Sequence, residues 1–123
     1  MASGALAVSF MLDADLHRLR IPPRRKARFA DGLWRHTCFE VFVARKGSRS
    51  YREYNFSPSG EWAAYEFSSY RKRGAAKLAR GPLKIALCAV IEEKSGALSY
   101  WALRHPPGKP DFHDRRAFAL ELA

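Results

Sequence analysis

Leu33 to Phe67 reads as three consecutive antiparallel strands, and no other stretch limits the possible folds of this chain as much. Thr37 to Ala44 and Tyr51 to Phe56 are dense in aromatic and β-branched residues, with a Gly/Ser/Lys/Arg loop from Arg45 to Ser50 between them, which is the pattern of a hairpin. Ser57-Pro58-Ser59-Gly60 fits a type I turn, because Pro pre-sets φ at its second position and Gly is favoured at its fourth. Glu61 to Phe67 then returns as a third strand. If the turn closes Ser57 on Gly60, Asn55 falls opposite Trp62, and a symmetric longer loop sets Phe39 opposite Phe56 and Glu40 opposite Asn55. Side chains alternate with period two, so Phe39, Val41, Tyr54 and Phe56 share the face expected to be core. Glu40, Asn55 and Trp62 form a row on the other face.

An indole to stack on an apolar ring, beside a carboxylate and an amide that accept and donate hydrogen bonds, is the chemistry of a polar-ligand site, and sugars suit it. The competing account is that Trp62 packs under a loop while Glu40 and Asn55 satisfy one another or the backbone. Trp34 and His36, just before the first strand of the meander, complete the candidate ligand-binding set, with His36 placed to support Glu40 or to cap a loop. Glu40, Glu53 and Glu66 offer carboxylates for a glycosidase-like pair. No Gly-rich phosphate loop, nucleophile elbow or HExxH motif occurs, however, so binding rather than catalysis is expected and the chain is read as not an enzyme.

The flanking chain extends the β pattern. Ala5 to Leu12 alternates with Leu6, Val8, Phe10 and Leu12 on one side, and Leu16 to Ile21 reads as a short strand ended by Pro22-Pro23. Leu83 to Glu92 is apolar on both faces, as a central strand is, and Lys94-Ser95-Gly96 turns it into Ala97 to Leu103. Ala75 to Ala79 has room for one helical turn, and Ala117 to Leu122 alternates as a last strand. With 123 residues, 47% of them hydrophobic, the chain is expected to form one domain over 1–123, an antiparallel β-sandwich.

A net charge of +10 favours polyanions, and the basic cluster from Arg18 to Arg28, with Arg71 to Arg80, could contact nucleic acid. Pro22-Pro23 and the lack of interleaved aromatics there favour a solvated surface segment. His105, Asp111 and His113 lie in a proline-braced loop whose donor types suit a divalent metal, although its spacing matches no ligand pattern; a structural loop is the simpler reading, and no metal or other cofactor is assigned. Cys38 and Cys88 have no metal or disulfide spacing and are expected to be buried thiols. No run reaches the roughly 20 apolar residues of a membrane span, and no leader pattern precedes Ala5, so a cytoplasmic location is expected.

Five segments carry a resemblance to a known family: Gly32 to Glu40, Tyr54 to Tyr65, Ala89 to Glu92, Ser99 to Leu103 and His105 to His113. Together they resemble the bacterial DOMON-like proteins, relatives of the DOMON and family 9 carbohydrate-binding sandwiches. The resemblance implies a β-sandwich that binds a small molecule, a saccharide or haem being usual in the wider superfamily, and it matches Glu40, Asn55 and Trp62 by motif. Haem members use axial Met and His or Lys, and no motif here puts Met11 or a histidine in that role. The chain is shorter than typical relatives before Ala5 and between Gly74 and Leu83. Missing strands there imply exposed sheet edges, through which a homodimer could form.

Overall fold

A computed structural model describes residues 4–77 and 80–123. Seven strands form one antiparallel sheet: β1 (Cys38–Arg45), β2 (Tyr51–Phe56), β3 (Trp62–Ser69), β4 (Lys72–Arg73), β5 (Leu83–Glu92), β6 (Leu98–Ala102) and β7 (Leu120–Leu122). Their spatial order is β4-β3-β2-β1-β5-β6. The outer edge of β5 is shared: Cys88 to Glu92 pair with β6, and Leu83 to Ile85 pair with β7. The fold is therefore all-β as expected. Because every named strand joins this one sheet, the second sheet of a sandwich is not seen among the described residues.

The β1–β2 register is the expected one, with Phe39 opposite Phe56 and Glu40 opposite Asn55. The β2–β3 register is shifted by one residue. Phe56 faces Trp62 and Asn55 faces Ala63, because the Ser57 N–H bonds the Glu61 carbonyl at 2.9 Å and encloses three loop residues instead of two. The type I turn is present, with the Gly60 N–H on the Ser57 carbonyl at 3.0 Å, and Gly60 then adds a left-handed step at φ +97°. This is the three-residue loop with a glycine bulge. A Cβ at Gly60 would also stand 3.3 Å from the Arg25 carbonyl.

The terminal strand expectations need correction. Residues 5–12 are extended but pair with no strand, and Phe10 instead lies over Phe39 with ring centroids 5.0 Å apart. Leu16–Arg18 is a 3-10 turn, followed by a single bridge from Leu19 to Glu93. Leu120–Leu122 is strand, but Arg115–Ala117 is a 3-10 turn that Asp114 caps by accepting the Arg116 N–H at 2.9 Å. Of the helical turn expected over 75–79, residues 75–77 are irregular and 78–79 lie outside the described residues.

The core also lies on the face opposite to the one expected. Phe42, Tyr51, Ala63, Tyr65, Phe67, Ala86, Cys88 and Val90, all on the Glu40 face, pack with Phe112 and Phe118 from the proline-braced loop. That loop folds across the sheet and removes the face from water. The Phe39 face receives the 4–12 segment and Phe29, and Phe56, Trp62 and Trp101 remain 44%, 42% and 63% exposed. Among the described residues, no helix is long and apolar enough to cross a membrane.

Candidate functional site

The one-residue shift separates the expected triad. Glu40 and Asn55 stay together on the buried face, whereas Trp62, opposite Phe56, projects from the other face and meets Phe29 edge-on at 5.6 Å. Asn55 is fully buried, and neither its amide oxygen nor its nitrogen makes a hydrogen bond. Asn55 is not among the residues that line the hollow next to Glu40. His36 does not support Glu40: its Nδ1 sits 3.0 Å from Glu92 Oε1.

A different set of side chains converges on the Glu40 face. Glu40, Glu53 and His113 lie at the base of an open hollow of about 330 Å³, and Trp34, Tyr65 and Tyr100 contribute to its sides. Trp34 is thus the one expected aromatic that reaches a pocket together with Glu40. Its ring meets Tyr65 edge-on at 6.0 Å. Arg71 and Arg73, both exposed, stand at the opening.

Strand alternation explains the carboxyl pair. Glu40 faces Asn55 and Glu53 faces Phe42, so the two glutamates are diagonal neighbours on one face of the ladder. They are 3% and 5% exposed, and the charged form of each is disfavoured by loss of water. Burial, then the Glu53 carboxylate beside it, pushes the Glu40 carboxyl up to about 8. Burial also raises Glu53, while the nearby Asn55 amide opposes that rise without a hydrogen bond of ordinary geometry. Glu40 is therefore held as the neutral acid at pH 7. The Cys38 thiol donates to Glu40 Oε2 at 3.5 Å, and burial holds both Cys38 and Cys88 protonated and free.

His113 extends this pair into a chain. Its ring is enclosed by Phe42 and Phe67, each with centroids 5.0 Å away. Burial, with Arg71 nearby, lowers its pKa to about 4 and keeps it neutral. Nδ1 lies 2.7 Å from the Tyr51 hydroxyl, which itself accepts the Arg71 N–H at 3.0 Å. With Tyr51 donating to Nδ1, the Nε2–H is directed at Glu53 Oε1, 3.5 Å away. Arg71 holds a left-handed φ of +53° at the β3–β4 turn, where its Nη2 donates to Asp111 Oδ1 at 2.9 Å. Asp111 also accepts from the Tyr70 hydroxyl.

The His105, Asp111 and His113 loop is accordingly occupied by protein contacts: His105 stacks near Phe112, Asp111 fastens the β3–β4 turn, and His113 enters the core. Among the described residues, no three His, Cys, Asp or Glu side chains are grouped to hold a metal ion. In the basic cluster, Arg18 lies 3.6 Å from Glu93, Arg28 lies 3.0 Å from Glu61, and Arg20 bonds the Lys94 carbonyl at 2.9 Å.

Haem can be tested against these residues. The only imidazole lining the hollow has Nδ1 on Tyr51 and Nε2 facing Glu53, and Met11 is 94% exposed on the 4–12 segment. The residues present do not fit an axially ligated haem.

Sequence reasoning missed Tyr65, Tyr100, Arg71 and Arg73 as pocket residues. The parity of β3 and β4 places Tyr65 and Arg73, and recognising Gly60 as a bulge glycine would have set that of β3, whereas Arg71 lies in the turn between the two strands. Trp34 stands on a 3-10 turn, Leu33–Arg35, where strand parity says nothing about direction. No family model, curated protein or solved structure matches the chain.

Proposed function

We propose that the hollow on the Glu40 face binds a small saccharide without transforming it. The observation that carries this reading is the buried pair of Glu40 and Glu53 at the base of an aromatic-sided pocket of about 330 Å³. The neutral Glu40 carboxyl supplies a donor and the remaining oxygens of the pair accept, matching vicinal hydroxyls that both give and take protons. Trp34 and Tyr100 offer apolar faces for the C–H side of a sugar ring. The motif resemblance to carbohydrate-binding sandwiches supports the same class.

The chain carries no Gly-rich phosphate loop, nucleophile elbow or HExxH motif, which supports binding over catalysis. A few hydrogen bonds and one stacked ring give affinities of roughly 4 to 8 kcal/mol, the micromolar to millimolar range. Titration calorimetry against a panel of neutral monosaccharides tests the reading. Wild-type protein binds at least one of them, Trp34→Ala weakens it about tenfold or more, and Trp62→Ala leaves it unchanged. A folded wild-type protein that gives no heat with any sugar ends the proposal.

A further inference from the structure

Arg73 differs from every other cation around the hollow. Its backbone pairs with Phe67 across the β3–β4 ladder, which sends its side chain to the same face as Glu40 and Glu53. The guanidinium carbon lies over Tyr65, 4.1 Å from the ring centroid, and 5.6 Å from that of Phe67. Cation–π contact of this kind holds the group in place over the ring while its N–H donors stay available. Arg71 is already committed, with Nη2 on Asp111 and Nε on the Tyr70 hydroxyl at 3.2 Å. Arg73 makes no ion pair within 4.0 Å and no side-chain hydrogen bond among the described residues. The β4 strand that carries it is held by the Arg71 N–H on the Tyr51 hydroxyl, so the group is positioned by the core and is not a free surface side chain.

Resting on the saccharide reading above, we propose that Arg73 selects sugars that carry an anionic group, a carboxylate or a phosphate, held at the opening while the ring hydroxyls meet Glu40 and Glu53. An oriented, unpaired guanidinium presents two parallel N–H donors, the geometry that both anions accept. The two ends of the hollow orient such a ligand: its charged end is drawn to Arg73 at the opening while its hydroxyls meet the acids at the base. The overall charge of +10 adds a long-range attraction for the same ligands.

Calorimetry with glucose, galactose, glucuronate, galacturonate and glucose 6-phosphate at neutral pH tests this. Acidic sugars bind about tenfold tighter than their neutral parents, as a partly exposed charge-assisted pair gives, and added salt narrows the gap. The two uronates and the phosphate ester show separately which anion is preferred. Arg73→Gln removes the gap between acidic and neutral sugars, with a melting curve confirming the fold. Lys72→Gln, which removes the same charge from the neighbouring exposed residue of β4, leaves the gap intact. Equal affinity for neutral and acidic sugars overturns the role of Arg73 while the saccharide reading stands. A preference that survives Arg73→Gln also overturns it. Silence with every sugar removes both.

Discussion

The two faces of the sheet come from the same strands with the same alternation, yet they have opposite characters. One face carries Glu40, Glu53 and Asn55 under Phe112 and Phe118 and is the buried one; the other carries Phe39, Val41, Tyr54 and Phe56 and stays half open. Side-chain polarity did not decide which face became core. The covering segment did: a loop that brings two phenylalanines, an imidazole and a capped 3-10 turn excludes water better than an extended segment with no ladder bonds. Burying acids in this way is costly, and the protein offsets the cost at Glu40 by holding it as the neutral acid.

Substitutions that remove matched volume from each face break this comparison most strongly. Phe42→Ala, fully buried among Tyr51, Phe112 and Phe118, is expected to lower stability in urea by about 3 to 5 kcal/mol, against about 1 to 2 for Phe39→Ala. Equal losses would mean that the open face is covered in solution.

Titration separates the faces next. Glu40 is raised from 4.5 to about 8 on folding, so between these values the folded state holds more protons than the unfolded one and stability falls as pH rises. His113 is lowered from 6.5 to about 4, so its contribution is fully present above 6.5 and is lost as pH falls toward 4. The two effects oppose one another below 6.5, and above it Glu40 still lowers stability as pH rises. Wild-type stability is therefore expected to fall by about 2 kcal/mol between pH 6.5 and 8, and Glu40→Gln to flatten that slope. Melting temperatures across this range check it, and an undiminished slope in the variant contradicts the protonation of Glu40.

Much of this arrangement was legible in the sequence. Cys38–Arg45, Tyr51–Phe56 and Leu83–Glu92 follow from their runs of β-forming residues, and the pairing of Glu40 with Asn55 follows from a symmetric loop. The site was only partly legible, because a single left-handed glycine at position 60 decides on which face Trp62 emerges. Nor could alternation show that residues 105–118 would fold over the glutamates, since that depends on contacts made by Phe112 and Phe118 far along the chain. The Leu6, Val8, Phe10 and Leu12 periodicity was real, but it describes an extended segment lying on the sheet instead of a strand within it.

Smaller effects sharpen the contrast further. Asn55→Leu replaces an amide without hydrogen bonds by an apolar side chain of similar size, so a gain of about 1 kcal/mol in denaturant stability is expected. A loss there would show that ordered water satisfies the amide. On the open face, Trp101→Ser removes a ring that is 63% exposed and should change stability by no more than about 0.5 kcal/mol. A larger loss would show that a partner or a second copy protects it.

The three tryptophans provide the most direct test of which face binds. Trp34 lines the hollow with Glu40, whereas Trp62 and Trp101 lie on the opposite face, so their indole N–H resonances in a nitrogen-proton correlation spectrum report the two faces separately. On titration with a saccharide that binds, the Trp34 indole should shift in proportion to occupancy while the Trp62 and Trp101 indoles stay fixed. Movement of Trp62 or Trp101 with Trp34 unchanged would place the ligand on the open face and contradict the account.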